Sequence, residues 1–304
     1  MSTPFSKRIK RDLVYSLVCA CRFLFSLLPR GIALAKGGFL GWLAWRLLPS
    51  DRRKIDANLL RVYGDRLTRA ERTRIGRQFF INSGKNLVDL FRFKRHFRSE
   101  IAPLVSVEGL EHFDRACKLG KGVIGVTGHI GHFELLAAYV ASLGYEIAVI
   151  GREMYDPRLD RLLVENREAV GLTNFATTDS PKRILRWLQS GKVLGVLIDT
   201  DSGRIRGEFV PFFGIPANTP VGHALIGLKV GAAFVPMACV RTANNRYRII
   251  ACPAIELPIG LSPERAALEV TALCSKALEG IIDAHRDQWI WLHNRWNSRP
   301  PNNA

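Results

Sequence analysis

From Val105 onward the chain alternates short runs rich in β-branched residues with stretches of helical period, and this alternation restricts the possible folds more than any other feature. Strands are expected at 105–107, 123–127, 146–150, 193–198, 233–240 and 247–251. Helices are expected at 133–143, 157–170, 181–190 and 222–230. Ser262 then caps a last long helix, with Pro263 in its first turn. Strands separated by helices pair in parallel, so the expected class is α/β, with a largely parallel central sheet flanked by helices.

The 304 residues are 47% hydrophobic, enough for one large core, and they divide by character into three parts. Residues 1–50 are apolar and basic and are expected to associate with a membrane. Residues 51–104 form a helical region packed on the core, and 105–304 form the α/β core with its closing helix. In the first part Lys7, Arg8, Lys10 and Arg11 precede two apolar stretches, 13–29 and 31–49, which Arg22, Lys36 and Arg46 interrupt. Uncharged runs there reach only about nine residues, against the ~20 of an uninterrupted span. The segment is therefore a weak single span with its basic end cytoplasmic, an interfacial anchor, or a pair of core helices. The basic flank, with Trp42 and Trp45 among leucines, favours membrane contact.

A net charge of +17 calls for an anionic partner: nucleic acid, an anionic membrane surface, or an acidic protein or substrate. The run FRFKRHFRS, residues 91–99, fits any of these, or is a solvated helix face with its aromatics inside. Six cysteines without Cys-x-x-Cys spacing point to buried free thiols in a reducing compartment. There is no small-residue cleavage site after the first apolar stretch, so no removed leader is expected.

The chemistry lies in GVIGVTGHIGHFELLAAYV, residues 122–140. His129 follows a strand, and Glu134 falls in the first turn of the next helix. That carboxyl edge is where open α/β sheets bind ligands. On one continuous helix two residues five apart diverge, but Gly128 and Gly131 favour a turn that folds Glu134 back toward His129. A His held by a carboxylate is a general base for a hydroxyl. The alternative is a solvated loop His and a Glu that complements the helix dipole. His129, His132 and Glu134 lack a His-Glu-x-x-His pattern and a further ligand, so no metal is expected. Gly-x-Ser-x-Gly, the phosphate loop and Gly-x-Gly-x-x-Gly are all absent.

The stretch VEGLEHFDRACKLGKGVIGVTGHIGHFELLAAY resembles the first signature block of the lipid A biosynthesis acyltransferases, within the glycerolipid acyltransferase superfamily. Arg152, Asp156-Pro157, Leu163, Arg167 and Gly171 resemble a second block. Leu197-Ile198-Asp199, Val210-Pro211-Phe212-Phe213-Gly214 and Ala217-Asn218-Thr219-Pro220 resemble a third. Gly231-Ala232 through Val235-Pro236 and the ending QWIWLHNRW complete the likeness over roughly 190 residues. His132, Asp156 and Thr200 depart from residues usual in the family.

The resemblance implies an acyltransferase in which His129 is general base and Glu134 orients it. Arg152, Arg167 and Asp199 are the expected substrate-binding residues. Backbone N–H groups near 128–133, or a basic side chain, would hold the oxyanion. It implies no cofactor, with acyl-acyl carrier protein or acyl-coenzyme A as co-substrate. The acceptor is expected to be a lipid A precursor, with a lysophospholipid or another glycolipid as the alternative. A non-catalytic basic membrane-binding or nucleic-acid-binding protein is the reading from another class. The implied partners are acyl carrier protein, an anionic lipid and the membrane surface, with no nucleic acid. The implied location is the cytoplasmic face of a bacterial inner membrane, where WIWLHNRW and FRFKRHFRS suit the lipid surface.

Overall fold

The structure, a computed structural model, describes residues 5–151, 153–201 and 205–300. Four helices come first: α1 Phe5–Leu27, α2 Arg30–Leu47, α3 Pro49–Tyr63 and α4 Arg69–His96. Then come β1 Val105–Glu108, α5 Leu110–Lys118, β2 Val123–Thr127, α6 Phe133–Ser142, β3 Ile147–Gly151, α7 Pro157–Glu168, β4 Thr173–Ala176, α8 Pro181–Gln189 and β5 Val193–Leu197. The chain continues through β6 Gly207–Phe212, β7 Ile215–Pro220, α9 Gly222–Val230, β8 Ala233–Arg241, β9 Tyr247–Ala251 and α10 Pro263–Ala284.

Seven strands form one sheet in the order β1-β9-β8-β2-β5-β3-β4, parallel throughout except where β8 meets β9. The expected α/β class, with a mostly parallel sheet flanked by helices, is the class observed. β2 is buried at every position, as a central parallel strand must be. Because successive side chains alternate, Ile124 and Val126 enter a core with α9, α10 and the C-terminal tryptophans. Val123 enters the opposite core, with α5 and α6. β6 and β7 form a separate hairpin.

The N-terminal helices fold onto this body. α2 lies close against α4 because Gly37, Gly41 and Gly84 sit at the crossing. A β-carbon on Gly41 would be 2.1 Å from the Phe80 carbonyl oxygen, and one on Gly84 2.2 Å from that of Gly37. α4 begins with a capping box: Thr68 accepts from the Glu71 N–H, and Glu71 accepts from the Thr68 N–H at 2.8 Å. Among the described residues no helix is long and apolar enough to cross a membrane.

The basic aromatic segments turn many of their large side chains inward, and FRFKRHFRS keeps Lys94, Arg95 and Arg98 exposed. Arg92 of FRFKRHFRS is buried and donates to the Phe25 and Leu28 carbonyls, capping the end of α1, while Phe93 and Phe97 enter the core. Trp289, Trp291, Arg295 and Trp296 of the closing segment are buried as well, and so is Trp45. None of these rings faces a lipid surface.

Candidate active site

β2 and β5 are adjacent, parallel and in register, with Thr127 opposite Leu197. Each chain leaves the sheet at the same edge, so the residues two positions beyond, His129 and Asp199, meet. The His129 ring donates from Nδ1 to Asp199 Oδ1 at 2.8 Å, and the His129 N–H donates to Oδ2 at 2.7 Å. Trp289 Nε1 donates to the same Oδ2 at 2.8 Å. Asp199 is fully buried. Burial pushes its carboxyl up, but the His129 charge and these hydrogen bonds outweigh that and hold it at about 2. Burial disfavours the charged His129 ring, yet the charge and hydrogen bond of Asp199, with a smaller contribution from Glu134, raise its pKa above the ordinary value. With Nδ1 on Asp199, Nε2 is left to accept a proton.

The turn between β2 and α6 is fixed from several sides. Gly131 takes φ of +57° and lies so close to β8 that a β-carbon would sit 2.0 Å from the Cys239 carbonyl oxygen. At Gly128 the same atom would reach Asp199 Oδ2 at 2.8 Å, so a side chain there would displace the carboxylate. Asn86 of α4 donates to the Gly131 carbonyl at 2.7 Å, and Arg241 of β8 donates to Asn86 Oδ1 at 2.7 Å. Asp89 and Tyr247 join Arg241 in a buried cluster that also takes in Arg30 of α2. His132 is the N-cap of α6: its Nδ1 accepts from the Leu135 N–H, and its ring stacks on Phe93. Burial pushes the His132 pKa down to about 3, so the ring stays neutral.

Glu134 is not the hydrogen-bonding partner of His129. Its carboxylate takes a two-pronged ion pair from Arg167 of α7, at 3.0 and 2.6 Å, and Arg167 also donates to Asn174 at 2.5 Å. The glycines do turn the chain here, but Arg167 at the C-terminal end of α7 captures the Glu134 carboxylate and Asp199 occupies the imidazole. Asp199 and Arg167, expected to contact substrate, thus have protein partners. Arg152 lies outside the described residues.

Two hollows meet at this turn. One is a narrow apolar cavity between α6 and the sheet, with Phe133, Glu134 and Arg167 at one end and Val140, Val193 and Met237 among its walls. Its floor is low because Gly125 and Gly195 lie side by side on β2 and β5. The other is an open cleft between α4 and the turn, lined by Phe79, Ser83, Leu87, His129 and Ile290. His129 lines the open cleft, while Phe133 and Glu134 line both hollows, an arrangement suited to moving a proton near a held apolar group.

Sequence reasoning missed Trp289, Asn86 and the Asp199–His129 pairing. Asp199 was singled out, but its partner lies 70 positions away, and only the β2–β5 register reveals the contact.

The sequence pattern of the family described as bacterial lipid A biosynthesis acyltransferase matches residues 3–298. The chain is 27% identical over 280 residues to the lipid A biosynthesis lauroyltransferase of Escherichia coli, covering 90% of this chain and 88% of that one. It is 27% identical over 278 residues to the lipid A biosynthesis myristoyltransferase of the same organism, covering 89% and 85%. A phosphatidylinositol mannoside acyltransferase of Mycobacterium tuberculosis is 24% identical over 194 residues, 62% of this chain and 59% of that protein. With a match running from one end of the fold to the other, this chain belongs to the bacterial lipid A biosynthesis acyltransferase family and is an acyltransferase.

Proposed function

We propose that this protein transfers a fatty acyl chain from an acyl thioester, carried by acyl carrier protein, to a hydroxyl of a lipid A precursor. The observation that carries the reading is the His129–Asp199–Trp289 arrangement, with His129 on an open cleft that shares Phe133 and Glu134 with an apolar slot. His129 Nε2 takes the proton of the acceptor hydroxyl as its oxygen attacks the thioester carbonyl. The carbonyl π pair moves onto oxygen, the tetrahedral intermediate collapses by breaking the C–S bond, and the departing thiolate recovers the proton from His129. Asp199 keeps the productive tautomer and stabilises the imidazolium. Glu134 holds Arg167 at the end of the apolar slot and adds a longer-range negative charge to the same field. The slot receives the acyl chain, and the cleft beside α4 admits the acceptor.

The chain works at the cytoplasmic face of a bacterial inner membrane. α1 exposes Leu13, Leu17, Phe23 and Leu24, and α2 exposes Phe39 and Leu47, an apolar surface that supports interfacial docking. The charge of +17 suits an acidic carrier protein and a phosphorylated acceptor. A second reading keeps the chemistry and changes the acceptor to another glycolipid; the likeness to a phosphatidylinositol mannoside acyltransferase favours it.

Purified protein, supplied with acyl carrier protein thioesters and either lipid A precursors or lysolipids, separates these readings. Turnover on lipid A precursors that disappears in a folded His129→Ala variant is expected. Transfer only to another lipid supports the second reading, and wild-type activity in His129→Ala excludes His129 as the base.

A further inference from the structure

Attack on a thioester leaves negative charge on the former carbonyl oxygen, and that charge needs donors. The turn that carries His129 supplies none from four successive main-chain groups. The N–H of His129 donates to Asp199, that of Ile130 to the Gly128 carbonyl, that of Gly131 to the Gln288 carbonyl and that of His132 to the Cys239 carbonyl. Four neighbouring side chains are occupied too. Asn86 donates to Gly131, Gln288 to the Arg241 carbonyl, Trp289 to Asp199, and Arg167 to Glu134 and Asn174.

One ring beside His129 differs. His293 lies edge-on to it, with ring centroids 4.8 Å apart and planes at 64°, and its ring nitrogens have no hydrogen-bond partner among the described residues. Its backbone is held firmly: Asn58 donates to the carbonyls of Trp291 and His293 at 2.8 and 2.9 Å. Arg295, two residues on, donates to the Asn218 carbonyl at 2.5 Å. The segment that carries the ring is therefore fixed by the scaffold. Two imidazoles in edge-to-face contact are close enough for one reacting carbonyl group to meet both.

We propose that His293 is a second catalytic residue, whose ring N–H donates a hydrogen bond to the oxyanion formed as His129 accepts the hydroxyl proton. This rests on the acyl-transfer reading above. The electrostatics agree. Burial first, then the neighbouring His129 and Arg295, push His293 below the ordinary imidazole value, with Asp199 opposing. The ring remains neutral while His129 becomes charged, and a neutral imidazole always keeps one N–H to donate. Paired groups driven apart in this way are suited to different roles in one reaction.

The experiment compares His293→Phe, which keeps a planar ring but no donor, with His293→Gln, which restores an N–H, and with wild type and His129→Ala. Acyl carrier protein thioester and a lipid A precursor are the substrates. Removal of the donor should lower kcat by about 10²- to 10³-fold, with little change in KM and the acidic limb of the pH profile in place. His293→Gln should recover roughly tenfold or more of that loss. A His293→Phe variant with wild-type kcat overturns the assignment and gives the oxyanion to the first-turn N–H groups of α6. Equal loss in both variants, or a loss that follows a displaced pH limb, also overturns it, since His293 would then only pack against His129 or tune it. Should the phenylalanine variant not fold, His293→Gln against His293→Ala makes the same comparison. If wild type itself transfers no acyl group, the acyl-transfer reading fails instead.

Discussion

At the scale of single residues the site is organised around one buried carboxylate. Asp199 accepts three hydrogen bonds, two from His129 and one from Trp289. A general base works unprotonated, and His129 is raised above 6.5, so activity should fall as pH drops through a point above that value. In Asp199→Asn the charge that raises His129 is gone while burial still lowers it, so the limb should move to lower pH. The plateau rate should fall by about 10²- to 10⁴-fold. Glu134→Gln should move the limb less, because Glu134 acts on His129 only through distance. A pH–rate profile of both variants measures the difference, and a limb fixed in Asp199→Asn would contradict the assignment. The sequence makes His129 legible, since a His after a Val-rich strand and before a helix is a local pattern. It does not make its partner legible: Glu134 is near in sequence, Asp199 is near in space, and only strand register distinguishes them. Likewise His132 looks like a loop residue until its ring is seen capping α6.

At the scale of elements, six of the strands and helices α6 to α10 follow from periodicity, whereas the nine-residue α5 between β1 and β2 does not. The failures have local causes. β4 has four residues and opens with the polar Thr173 and Asn174, so it shows no β-branched apolar run. β6 and β7 contain Pro211, Pro216 and Pro220, which argue against sheet, and their turn places Phe213 at φ +54° where Gly or Asn would announce a hairpin. Phe213 is held there by its N–H donating to Glu279 at 2.7 Å, a tertiary contact that no local pattern contains. The paired glycines of β2 and β5 have a measurable consequence. A β-carbon on Gly125 meets nothing nearer than Met237 Sδ at 3.9 Å, so Gly125→Val should fold and fill the slot. Acyl chains of graded length in competition should reveal it: the longest chain accepted by wild type should be disfavoured by about tenfold or more, and shorter chains should be spared. An unchanged chain-length profile would place the acyl group elsewhere.

At the scale of the whole molecule, the proposed interfacial docking needs the excess positive charge and the apolar face on α1 and α2 to act together. Sedimentation with anionic vesicles should show binding that weakens as salt rises. Leu13→Ser with Leu17→Ser should cut that binding by about 100-fold or more, since each leucine contributes on the order of 1.5 kcal/mol or more when buried. Equal binding by the double variant would remove α1 from the docking surface. The charge was legible from composition. Its distribution was not, because Arg92 and Arg295 are buried and the tryptophans beside Arg295 turn inward. Trp289, which completes the setting of Asp199, lies 90 positions beyond it in the chain. During synthesis His129 and Asp199 would therefore leave the ribosome roughly 5–18 s before the indole that donates to Asp199. Through that interval the nascent protein has both titrating groups and no finished catalyst, so thioester turnover should begin only after the QWIWLHNRW segment has emerged and docked.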